Sequence, residues 1–177
     1  VTARVKSIRE KNSRPSRRER WWQHGDAQPA MRAAISKLER FIVTPEVNEK
    51  RIFAWARQGI LPDCKIMVSA RNDYTSFGIL QSRVHTTWAY HKGGVRGKGR
   101  TYTPASVFVT FPFPEGLTPD IPAADYADDP RAQRIAEAAA RLNELRENWL
   151  NPPDLVRREP EVVPGYPDRI LPVDDKA

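Results

Sequence analysis

The densest chemistry in this sequence lies in HKGGVRGKGR, residues 91–100, where four glycines share ten positions with Lys92, Arg96, Lys98 and Arg100. Glycine lets a backbone approach another group closely, Lys and Arg neutralise phosphates, and Arg pairs with guanine edges. The stretch is not a nucleotide-binding phosphate loop. Such a loop follows a strand and carries Gly-Lys-Ser/Thr, whereas a helical pattern precedes this one and Gly99 follows Lys98. The plainer alternative is a solvent-exposed hairpin whose charge is incidental.

Two other stretches imitate catalysis. Asn151-Pro152-Pro153-Asp154 resembles the Asn-Pro-Pro-aromatic turn with which adenine methyltransferases hold a flipped base. Here Asp154 stands where the aromatic ring belongs, and the preceding element reads as a helix rather than a strand. Glu46 with Asp63-Cys64-Lys65 has the outline of a metal-dependent nuclease, two carboxylates and a lysine, but Asp63 equally ends a turn before a strand. No residue is assigned a catalytic role. A metal site is not expected either, because Cys64 is the only cysteine and His24, His85 and His91 are scattered.

The elements that must position these residues follow from periodicity. Residues 1–20 carry eight basic side chains broken by Pro15, a short helix and then a flexible arm. Trp21 and Trp22 anchor the chain, and Pro29 opens a helix with Met31, Ala34, Ile35 and Leu38 on one face. Strands are expected at 40–47, 51–56 and 65–70, with Asn48 and Glu49 as a hairpin loop between the first two. From Ser76 the period becomes helical, with Phe77, Leu80, Val84 and Trp88 on one face. Residues 106–114 return to strand character, and Phe77, Trp88, Phe108, Phe111 and Phe113 are expected in the core. Asp129 caps a helix over 130–150 whose Ile135, Ala138, Leu142, Leu145 and Trp149 form the packing stripe. Residues 111–177 hold 11 of the 16 prolines, so the chain beyond Asn151 should be extended, a strap or a loose tail. The expectation is an α+β fold: a mixed β-sheet with supporting amphipathic helices, one long C-terminal helix and an extended Pro-rich tail.

Charge is distributed unevenly. Of the net +7, residues 1–110 contribute +13 and the remaining 67 contribute −6. Concentrated positive charge suits a polyphosphate partner, since each neutralised phosphate releases counterions. At 177 residues the chain suits one domain with arms, and with no apolar run of about 18 residues it is expected to be soluble. Val1 is not preceded by a methionine and no secretory core follows it, so it reads as a piece excised from a cytoplasmic protein.

The ordered blocks RFIVTPEVNEKRIFAW, ILPDCKIMVSARNDYTSFGILQSRVHTTWAYHKG, RTYTPASVFVTFPFPEGLTPDIPAAD and LNELRENWLNPP resemble the C-terminal target-recognition region of large S-adenosylmethionine-dependent DNA methyltransferases. These are the single-chain enzymes that fuse restriction with modification, and related phage-defence methyltransferases. The resemblance implies a recognition domain over 21–128, a packing helix over 129–150 and a tail over 151–177, with 1–20 as a basic arm. It implies double-stranded DNA as partner, and a catalytic domain elsewhere in the parent chain that holds S-adenosylmethionine. No cofactor is expected in this chain, which lacks the glycine-rich cofactor turn. The implied DNA contacts are Thr44, Glu46 and Arg51; the turn Arg71, Asn72, Asp73 and Tyr74; Arg83; and Lys92, Arg96, Lys98, Arg100 and Tyr102. Two rival readings stand beside this one: a nuclease using Glu46, Asp63 and Lys65, and an interaction module presenting the helix 130–150.

Overall fold

Proline and short capping side chains set most helix boundaries, as their chemistry dictates. The computed structural model describes residues 2–23 and 28–174, so His24 lies outside the described residues. The chain divides into two units, Val1–Ala34 and Ile35–Ala177. In the first, a π-helical turn (Thr2–Lys6) continues into α1 (Ser7–Arg9), Pro15 opens α2 (Pro15–Glu19), and α3 (Pro29–Ile35) runs to the boundary. Arg9 donates to the carbonyls of Trp21 (2.6 Å) and Gln23, and Lys6 lies over the Trp21 ring, so part of the basic segment is folded on itself.

The second unit is α+β with a long helix at 130–150, as the pattern predicts. Its strands form three small antiparallel sheets rather than one mixed sheet. The first has the order β3 (Ala54–Arg57), β1 (Arg40–Pro45), β4 (Ile66–Ser69); the second is β2 (Val47–Asn48), β6 (Gly99–Thr101), β5 (Val95–Arg96). Connections this short favour antiparallel neighbours, because a parallel pair needs a crossover of a dozen residues or more. The run 40–47, expected as one strand, serves two sheets. Glu46 is the junction: its N–H donates to the Lys65 carbonyl at 2.7 Å, and its own carbonyl accepts from the Tyr102 N–H at 2.7 Å.

The helix expected from Ser76 is two. Asp73 caps α4 (Tyr74–Gln81) through Ser76 N–H, and Ser82, extended at ψ 153°, ends that helix and caps α5 (Arg83–Lys92) through His85 N–H. The break rotates the second helix, so Val84 is exposed while His85 and Ala89 turn inward. Residues 106–114 are not a strand. Pro104 starts a π-helical turn (Pro104–Phe108), and Pro112 and Pro114 have no N–H for a ladder. Phe77 and Phe111 are nonetheless buried, with Trp88, Phe108 and Phe113 packed against the core.

Helix α6 (Pro130–Leu150) packs on α4 through a face that shares only Ile135 with the expected stripe. Ala132 and Ala139 are buried, and a Cβ added to Gly78 would lie 2.6 Å from Ile135 Cγ2 and 3.0 Å from Ala139 Cβ. Close approach of two helices therefore selects small residues, and Leu142, Leu145 and Trp149 stay exposed, Trp149 at 79%. Arg146 secures the far end, donating to the Phe53 carbonyl at 2.6 Å. Within the tail, β7 (Val156–Glu159) pairs with β8 (Arg169–Pro172), so it folds as a hairpin rather than one extended strap.

Candidate nucleic-acid interface

The cationic segment is a β-hairpin whose glycines are explained by its own construction. Helix α5 ends at Gly93, where a Cβ would lie 2.3 Å from the Thr101 carbonyl oxygen and 2.6 Å from that of Ala89. Val95 pairs with Arg100 and Arg96 with Gly99, leaving Gly97 and Lys98 as a two-residue turn. Gly97 has φ +63°, the conformation a two-residue hairpin needs at its first central position. A Cβ on Gly99 would lie 2.6 Å from Val47 Cγ1 of the neighbouring strand. Gly93 and Gly99 thus serve close packing, and Gly97 serves the turn with open space around it.

The side chains of the hairpin face outward. Lys92, Arg96 and Lys98 are exposed and Arg100 is half-buried. Strand alternation puts Arg96 and Arg100 on opposite faces, with Lys98 at the tip. Among the described residues none of the four makes an ion pair. Lys92 lies 5.0 Å from the Trp88 ring centroid. Beside the hairpin, Lys65 pairs with Glu46 at 2.8 Å, a bond that holds the Glu46 carboxyl below its usual range and the Lys65 ammonium above its own, with Arg96 also lowering Glu46. Lys50, not among the expected contacts, is exposed just beyond β2, which pairs with β6.

Thr44, Arg51 and Tyr102, expected on the DNA, are buried and hold the hairpin's root. Arg51 is 6% exposed; it donates to Thr44 Oγ1 at 3.0 Å, to the Pro45 carbonyl and to the Arg100 carbonyl at 2.9 Å, with its guanidinium 5.0 Å from the Tyr102 ring. Burial pulls its pKa down. The Tyr102 hydroxyl meets His85 Nε2 at 3.2 Å, and His85 Nδ1 meets the Leu80 carbonyl at 2.8 Å. A neutral imidazole protonated on Nδ1 satisfies both, and burial lowers the His85 pKa to about 4 and raises that of Tyr102. His85 is therefore a buried link between α5 and β6. Its place among apolar residues points in the sequence to packing rather than to a metal ligand, but not to this hydrogen-bonded link.

The turn 71–74 is a second structural network. Arg71 donates from Nε to Asp73 (3.0 Å) and Ser76 Oγ (3.1 Å), from Nη1 to the Ile121 carbonyl (2.7 Å), and from Nη2 to the Tyr126 hydroxyl. Tyr126 in turn donates to Asp73 at 3.0 Å. Tyr74 sits under Arg40, whose guanidinium carbon is 4.4 Å from its ring and 3.9 Å from that of Trp55. Asn72 is exposed, but its carbonyl accepts from Arg40 at 3.4 Å. Arg83 is exposed at the first residue of α5, about 13 Å along the helix from Lys92 at 1.5 Å per residue. Of the thirteen expected contacts, the structure gathers Glu46, Lys92, Arg96, Lys98 and Arg100 around one hairpin.

The catalytic look-alikes resolve geometrically. Asn151 ends α6, with its amide 3.3 Å from Glu147, so its Pro-Pro sequence follows a helix. The Glu46 carboxylate is held by Lys65, and Asp63 accepts from the Lys65 N–H at 3.0 Å. Among the described residues no three His, Cys, Asp or Glu side chains cluster closely enough to hold a metal ion, and no helix is long and apolar enough to cross a membrane. Comparison with known proteins finds no matching family model, no matching curated protein and no matching solved structure.

Proposed function

We propose that this chain recognises double-stranded DNA, with the β5–β6 hairpin as the element that enters the groove. The observation that carries the reading is the set Arg96, Lys98 and Arg100 on one ribbon, with Lys92 at the end of the helix that leads into it, none of them in an ion pair among the described residues. A two-stranded ribbon fits the major groove, which is about 12 Å wide, and cations on both faces and the tip reach both phosphate walls and the base edges between them. Arg96 and Arg100 suit guanine; Lys92 and Lys98 suit phosphates. The resemblance in the sequence extends the proposal to a cytoplasmic adenine methyltransferase as the enzyme being aimed. S-adenosylmethionine then belongs to that catalytic partner domain, and no residue here is assigned to it.

Fluorescence anisotropy of a labelled duplex, titrated at several salt concentrations, tests this. The two phosphate contacts, from Lys92 and Lys98, give a log-log slope of about −2 at roughly −0.9 per phosphate. Replacing Arg96, Lys98 and Arg100 together by Ala should bring the slope to about −1 and weaken binding at every salt concentration. Replacing Glu137 and Glu144 of α6 should leave both unchanged. A salt-independent affinity, or equal losses from the two sets, would falsify the reading.

A further inference from the structure

Both outer strands of the three-stranded sheet, β3 and β4, have an unpaired side among the described residues, and that of β4 lies beside a cavity. The Glu46–Lys65 bond fixes which residues of β4 hydrogen-bond inward: Lys65, then Met67 opposite Thr44 and Ser69 opposite Ile42. Between them, Val68 lies opposite Val43 in a non-hydrogen-bonded pair, so its N–H and C=O point away from β1. No other described group bonds to them. Residues 66–70 contain neither a charge nor a proline, the devices by which exposed edges are normally protected.

Beside this edge lies a cavity of about 330 Å³. Every residue from 67 to 71 lines it, and since alternate side chains point to opposite faces, a cavity touched by all five runs along the strand's edge. Pro104, Phe108 and Pro119 form the facing wall, and most of the lining is apolar. A small apolar ligand would fill such a space but would leave the Val68 backbone groups unpaired. An extended polypeptide satisfies both features at once.

We propose that β4 takes a fourth strand from a partner: an uncharged, extended peptide whose backbone pairs with Val68 and whose apolar side chains enter the cavity against Met67 and Phe108. This is strand addition to a sheet edge, where the backbone supplies affinity and the pocket supplies selectivity. It is independent of the hairpin and of DNA binding.

The test uses an acetylated, amidated Thr-Val-Thr-Val-Thr-Val peptide and the same peptide N-methylated at every residue, followed by amide NMR and hydrogen exchange on the full chain. With free peptide at ten times its Kd, the Val68 amide should shift and gain roughly tenfold protection. The N-methylated peptide should give neither effect. Val68→Pro removes only an outward N–H, which an edge strand tolerates, so it should melt like the parent and lose the peptide. Three results overturn the proposal: no change at Val68 with millimolar peptide, equal shifts from both peptides, or shifts confined to residues 95–101. The peptide arms decide the matter even if Val68→Pro does not fold.

Discussion

Arg71 and Arg96 come from stretches of similar composition, a polar turn before α4 and a polar hairpin after α5, yet the fold uses them in opposite ways. Arg71 has its Nε and both terminal nitrogens occupied by Asp73, Ser76, Ile121 and Tyr126, at 15% side-chain exposure, while Arg96 is exposed and makes no ion pair. A guanidinium offers five N–H donors in a fixed fork. Where backbone carbonyls and a cap converge, as at residues 73, 119 and 121, those donors close the fold; where a two-residue turn projects, they stay available. Availability of donors, rather than the presence of arginine, separates scaffold from surface.

Breaking the occupied side should have the largest effect. Arg71→Ala leaves Asp73 half-buried without its cation and strands two carbonyls, at a cost of about 3 kcal/mol or more. Chemical denaturation should show the loss directly, and Arg71→Lys should not restore it, because an ammonium cannot span the same fork. Should Arg71→Ala leave stability intact but reduce DNA affinity, the division between the two arginines would be reversed.

A similar loss is expected on acidification, through the hairpin's root. His85 is fully buried with a pKa lowered to about 4 against about 6.5 when unfolded. Its folded pKa is the lower one, so the unfolded chain binds the extra proton. Stability is therefore complete above pH 6.5 and falls as pH drops toward 4, by about 3 kcal/mol in total. Urea midpoints at pH 7.5, 5.5 and 4.5 measure this, with His85→Gln as the variant that should flatten the profile.

How much of this was legible in the sequence depends on which force decided each element. Caps and prolines act locally, so Asp129-Pro130 announced α6, whereas Asn48, expected in a hairpin loop, lies in β2 paired with Arg100. Periodicity pointed to the large apolar residues of α6, of which Ile135 meets Gly78 but Leu142, Leu145 and Trp149 are exposed, while Ala139 at Gly78 and Ala132 are the residues buried. The run 106–114 has strand-forming side chains but lacks the N–H groups a ladder needs. At the candidate site the cations were plain from composition; which were already engaged was not, because the acceptors for Arg51 and Arg71 lie up to about 50 residues away. Neither Arg100's carbonyl nor Ile121's leaves any trace in residue type.

The smallest expected effect separates two uses of a glycine. A Cβ on Gly97 meets nothing within 4 Å, so Gly97→Ala costs only the strain of φ +63°, about 1 kcal/mol. Asn tolerates that conformation better, and Gly97→Asn should cost less still. Gly99→Ala differs in kind, since its Cβ would press on Val47 Cγ1 at 2.6 Å and disturb the strand that carries Asn48. If Gly97 serves only the turn, DNA affinity measured where Gly97→Ala is folded should match the parent within error. If affinity drops while the melting temperature holds, the glycine is making room for the partner's backbone, and the hairpin approaches DNA through its main chain at the tip rather than through Arg96, Lys98 and Arg100 alone.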